Sequence, residues 1–285
     1  MAYMLRFSAF LTVGVTLAIL AVLLADAFEF FRRADIADFL TGTKWEPFGE
    51  PKRLGIWPLL TGTLMTAGGA VAFALPLGAG MAIYLTQYAS RGAREAIGPA
   101  VEILGGIPTL VYGYFALTTV TPFLKKHFFP ELEIFNALSA SIVVGIGIMP
   151  LITSLSAEAL RLVPSSVKNA GYALGMRKIT VITRILLPAA SSGIIASVIL
   201  AFSRALGETM AVTLAAGATP SMSLDYLKGI QTITAFIVQI SLGDTPAGSI
   251  EYYTIYALGL VLFALTFVFN IAAVRVVRRL REIYQ

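Results

Sequence analysis

Six apolar windows, each of at least the roughly 20 residues that a helix needs to cross a bilayer, set the terms for what this chain can become. They cover residues 7–27, 57–85, 97–120, 136–157, 188–216 and 252–276. None alternates polar and apolar residues with the two-residue period of a barrel strand, so the fold class is all-α, a polytopic membrane protein of about six transmembrane helices. Composition agrees: 57% of residues are apolar and 13% charged, against about 45–50% and 25% in a soluble domain. The 285 residues therefore read as one transmembrane domain with short connections. The first window follows Arg6 and ends in Ala25-Asp26-Ala27, as a cleavable leader would. Its apolar run exceeds the roughly 7–15 residues of a leader core, so an uncleaved first span is expected.

Lysines and arginines set the orientation. With the N-terminus inside, the inner segments hold twelve basic residues (among them Arg91, Arg94, Arg161, Arg184, Arg275, Arg278, Arg279 and Arg281) against three acids. The outer segments hold eight against eleven. Both termini are expected to be cytoplasmic. Because the net charge of +5 is spread among loops, it is a topology signal and not a nucleic-acid surface. The chain has no cysteine and a single histidine, His127, in a loop; thiol chemistry and histidine-rich metal sites are excluded.

The fifth window carries Arg204 and Glu208 in its second half. A charge inside a spanning helix costs about 2.5–3.5 kcal/mol on insertion scales, so it faces a partner or a watery path. Four residues apart on a continuous helix, the two would share a face. They are either a self-compensating pair that locks helices or a polar site for something that crosses. In the third window, Gly105, Gly106 and Pro108 break or bend the helix, and a broken helix presents free backbone N–H groups that favour anions. Glu102 lies near the inner end of that window and is expected to snorkel to water. The first outer loop has breakers at Pro47, Gly49, Pro51 and Gly55, with a short interfacial helix expected before Thr41.

Residues 158–187 differ from every other loop: about thirty basic, amphipathic residues between the fourth and fifth windows. Pro164-Ser165-Ser166 reads as a helix start with serine available as cap. Gly175 reads as its stop, and a second short helix is expected over 179–186. A connection of this length and regularity is a lipid-surface element or a docking platform.

The run from Asn169 through Ala170, Gly171 and Gly175 to Ile185 and Pro188 resembles the EAA loop of ABC importer permeases. Asn169 stands where that family usually has Glu, and Gly171 where it has the second Ala. The segments FLTGTKWEPFG (39–49), IPTLVYG (107–113) and SRALGETMAV (203–212) resemble the phosphate-specific, PstC-type permeases, and the likeness covers nearly the whole chain. The resemblance implies a type I importer permease in a bacterial inner membrane, with residues 158–187 as coupling helices. It makes Arg204 and Glu208 the charged pair of an inorganic phosphate path. It implies four kinds of partner: a second, PstA-like permease, a PstB-like ATPase dimer, a PstS-like phosphate-binding protein and membrane lipid. No G-x-x-x-x-G-K-[ST] loop occurs in the chain, so no cofactor is expected on this subunit and Mg-ATP belongs to the ATPase.

Two other classes compete. A secondary transporter also needs intramembrane charges and broken helices, but commonly shows two matching halves, and no internal repeat is visible here. A scaffold would use the charged pair as glue. An enzyme is disfavoured, because no acid–base dyad, nucleophile–His pair or metal cluster can be assembled from these residues.

Overall fold

The computed structural model describes residues 2–283. Helix α1 (Ala2–Arg33) leads to a short α2 (Ile36–Thr41), capped by the Asp35 carboxylate on the Ala37 N–H, and to a two-stranded hairpin, β1 (Trp45–Glu46) and β2 (Arg53–Leu54). Then come α3 (Trp57–Ile83), prolonged by a wide π-turn over Tyr84–Tyr88, and α4 (Arg91–Gly106). Next are α5 (Thr109–Phe115), a second π-turn and α6 (Thr121–His127). The chain continues with α7 (Ala137–Leu162), α8 (Ser165–Ala173), α9 (Lys178–Val181), α10 (Leu187–Leu206), α11 (Met210–Ala216), α12 (Ile233–Leu242) and α13 (Ile250–Ile283).

Five of these stretches are long and apolar enough to span a membrane, and α4 with α5–α6 makes a sixth, bent by 91°. The all-α, roughly six-span reading therefore holds. Large apolar side chains over residues 3–19 of α1 stay exposed, as lipid contact requires, while Ala27 and Phe30 near its end are buried. The centre is α3 against α7. A Cβ on Gly145 would stand 2.9 Å from the Ala70 carbonyl oxygen, so small residues are what let the two backbones approach. Farther along, α10 joins α7 through Ser156 and Ser197, whose hydroxyls share a buried 3.0 Å hydrogen bond.

One end of the bundle is an aromatic cap. Phe30, Phe39, Trp45, Ile233, Phe236 and Leu258 form one buried cluster, with Trp45 edge-on to Phe236 at 5.0 Å. The 217–232 segment crosses this end, where the Tyr226 hydroxyl donates to the Met65 carbonyl at 2.9 Å and burial pushes its pKa up. The opposite end carries the elbow formed by α8 and α9. Lys168 donates to Gln87 at 2.9 Å, and the Lys178 ammonium lies 4.2 Å from the centre of the Tyr88 ring, tying the elbow to the end of α3.

Several sequence expectations are corrected. The fifth window is not one helix: α10 ends at Leu206 and α11 begins at Met210. The first outer loop holds a hairpin as well as the expected short helix. The apolar α12 lies within what read as an outer loop. At the elbow, Pro164 occupies the N-cap without a side-chain cap bond, so neither serine caps α8. The second elbow helix does not stop at Leu186; α9 passes through a π-turn over Ile182–Leu186 directly into α10. The side chains of Arg278, Arg279 and Arg281, which the orientation count uses, lie outside the described residues.

Candidate functional site

Arg204 sits in the last turn of α10. Ser197, Ala201 and Ala205 bury one stripe of that helix against its neighbours, which leaves Arg204 on the exposed side. Its guanidinium has no ion pair within 4.0 Å and no hydrogen bond among the described residues. Helix α10 stops because Gly207 and Glu208 turn back, their N–H groups bonding to the Arg204 and Ala205 carbonyls at 3.2 Å each.

Glu208 therefore does not ride one turn behind Arg204. It occupies the break, and its carboxylate accepts from the Thr209 and Ala211 N–H groups at 3.1 and 3.4 Å, closing the start of α11. Its own carbonyl accepts the Thr234 hydroxyl at 2.7 Å. The direct Arg204–Glu208 pair is absent among the described residues, and the Glu208 carboxylate is turned toward the start of α11, where its Oε1 takes both backbone donors.

The second break faces the first. Ile107 and Pro108 are both extended, with ψ of 131° and 134°, between α4 and α5. Proline has no N–H to donate and disfavours a helical Ile107. The Tyr112 hydroxyl reaches back 2.7 Å to the Leu104 carbonyl, one of the acceptors left open at the end of α4. Arg204, Glu208, Gly105, Ile107, Thr109 and Tyr112, with Gly147 of α7, line one crevice whose free volume is about 10 Å³. That is about the room one water occupies. Gly113 brings α5 onto α11, where an added Cβ would be 2.8 Å from the Leu214 Cβ.

At the elbow, Asn169 and Ala170 are exposed on α8 while Gly171 is buried under Ile185 and Val181. Gly175 has φ of +73°. The Gly175 N–H bonds to the Tyr172 carbonyl and the Met176 N–H to that of Gly171, the paired bonds of a Schellman stop. Leu162 and Leu174 are 76% and 77% exposed, so the elbow presents an apolar surface. Ile185 and Pro188 line a cavity of about 590 Å³ beside it. Sequence reasoning singled out Arg204, Glu208 and the breakers, and missed Tyr112 and Thr234. Tyr112 lies inside IPTLVYG, and a tyrosine one turn past a helix break was the available signal. Thr234 had none, because its segment read as loop.

The family model described as "Binding-protein-dependent transport system inner membrane component" matches residues 74–282. The chain belongs to that family. This inner membrane component is 35% identical over 247 residues to the phosphate transport system permease protein PstC of Mesorhizobium japonicum, covering 80% of this chain and 74% of the relative. It is 33% identical over 232 residues to the probable ABC transporter permease protein YqgH of Bacillus subtilis, covering 81% and 74%. A solved bacterial ABC transporter involved in alginate import has the same fold in its permease chain, with a TM-score of 0.66 at 17% identity over 97% of this chain and 96% of that one. The transport component is thus a multi-pass membrane subunit and not an enzyme.

Proposed function

We propose that this chain is a permease subunit of an ATP-driven importer of inorganic phosphate, supplying half of the translocation path. The observation that carries the reading is the unpaired Arg204 guanidinium at the meeting of two helix breaks in a family of transport components. A planar guanidinium binds two phosphate oxygens at once, and the Mesorhizobium japonicum relative is a phosphate transport system permease protein. Glu208 holds the break in shape and keeps a negative charge beside the path, which limits how long an anion stays on Arg204. At about 10 Å³ the crevice is closed to phosphate in this conformation. Passage then requires α4–α5 and α10–α11 to part, and the breaks are where they hinge.

The energy comes through the elbow. Asn169, Ala170, Gly171 and Gly175 form the rigid turn of α8, and Ile185 and Pro188 carry its movement into α10. A PstB-like ATPase dimer binds Mg-ATP and docks on the exposed elbow, while this chain holds no cofactor. A PstA-like subunit completes the path, and a PstS-like protein delivers phosphate at the aromatic end. Both termini then face the cytoplasm. Co-purification tests the reading: a complex containing a second permease and an ATPase, reconstituted with the binding protein, takes up phosphate only with ATP. Uptake driven by an ion gradient without ATP would overturn it.

A further inference from the structure

The seam between α4 and α7 holds a second cavity, of about 160 Å³, nearer the elbow. Arg94, Val101 and Glu102 of α4 face Thr153, Ser154 and Arg161 of α7 around it. Along α7 the step from Gly147, at the upper crevice, to Ser154 is seven residues, about two turns and about 10 Å at 1.5 Å per residue. The two cavities therefore follow one another along one face of α7. The elbow end is fixed by Arg94, whose Nε donates to the Leu85 carbonyl at 2.8 Å, and by Arg161 in the last turn of α7.

The charges here are not spent on each other. Among the described residues, neither Arg94 nor Arg161 has a carboxylate within 4.0 Å, and the nearby Glu95 is taken by Arg91 at 2.9 Å. Thr153 is committed to the Gly78 and Met149 carbonyls. Arg161, the Ser154 hydroxyl, the terminal nitrogens of Arg94 and the Glu102 carboxylate make no hydrogen bond among the described residues. Two guanidiniums, a free hydroxyl and a single carboxylate repeat the chemistry of Arg204 and Glu208 with one more positive charge.

We propose that this cavity is an inner oxyanion station, where phosphate rests on Arg94, Arg161 and Ser154 after leaving Arg204, with Glu102 opposing its retention. The proposal rests on the reading that phosphate passes Arg204 through the crevice between α4–α5 and α10–α11. An occupied station blocks the next ion, so phosphate on the elbow side slows transport.

The test uses the assembled transporter in proteoliposomes with ATP and increasing unlabelled inorganic phosphate trapped on the elbow side, at ionic strength matched with chloride. Labelled phosphate and binding protein are supplied outside. In the parental complex trapped phosphate lowers initial uptake. Arg161→Gln raises the half-inhibiting concentration about tenfold, as expected for loss of a charge-assisted contact, while Glu102→Gln lowers it several-fold. Each half-inhibiting concentration is read relative to the same complex's own uptake without trapped phosphate. Equal half-inhibiting concentrations in all three complexes overturn the station while leaving the phosphate path intact. A parental complex that takes up no phosphate overturns both. Should Arg161→Gln fail to assemble, Glu102→Gln decides alone, because its shift has the opposite sign to a general loss of function.

Discussion

The two helix breaks that line the crevice are built differently. Between α4 and α5 the break is covalent in origin: Pro108 withholds a donor, Ile107 is driven extended, and the chain turns by 91°. Between α10 and α11 no residue forbids a helix. The break exists because Glu208 caps α11 with its carboxylate and because Thr234, from a different element, holds the Glu208 carbonyl. The first is fixed by local sterics and the second by hydrogen bonds that can be exchanged. A hinge made of hydrogen bonds can open and close, and it is the one that carries Arg204.

That contrast can be broken or sharpened by substitution. The largest stability effect is expected where the breaks touch. Gly113→Leu drives a side chain into Leu214 and Ala211 and should cost about 3 kcal/mol, the upper range for overpacking, seen as a lower melting temperature and loss of assembly. A turn away from the seam serves as a control. Gly175→Ala forces a side chain into a left-handed turn at about 1–2 kcal/mol, and should uncouple ATPase activity from uptake while Arg204 keeps its surroundings.

Glu208→Ala removes the cap and should cost about 1 kcal/mol, whereas Glu208→Gln keeps an acceptor oxygen and should melt close to the parental temperature. Equal melting of the two would show that the carboxylate does not hold the break. The smallest stability effect is expected from Pro108→Ala, about 0.4–1 kcal/mol, but with the bend relaxed, because the residue that makes it is gone. The chain has no cysteine, so spin labels at Ile103→Cys and Tyr114→Cys, both 66% exposed, report that bend without background. The label separation should lengthen in Pro108→Ala; an unchanged separation would mean that the Tyr112–Leu104 bond and packing, not the proline, hold the bend.

The same contrast explains what the sequence could reveal. Pro108 announces its break because the cause is carried by the residue itself. Gly207 sits between apolar stretches, so hydropathy averaged over 188–216 reads straight through it, and the decisive bond comes from Thr234, 26 residues away. Helix α12 was hidden for a related reason. At ten residues it is too short for a span, and its apolar face is buried against the aromatic cap instead of lipid. The Gly175 stop was legible from one residue, whereas the serines at 165 and 166 misled because the extended Pro164 already supplies the entry geometry. For the site, Arg204 and Glu208 stood out by the cost of their charge, but their relation did not, since it depends on which donors the carboxylate finds.

The central claim is that Arg204 is held unpaired to meet a passing oxyanion. Its most direct test is initial phosphate uptake by the reconstituted complex carrying Arg204→Ala or Arg204→Lys, with binding-protein-stimulated ATP hydrolysis measured alongside. Uptake should fall at least 100-fold for Ala and about tenfold for Lys, which keeps the charge but not the two-pronged contact, while hydrolysis persists. Parental uptake by Arg204→Ala in an intact complex would contradict it.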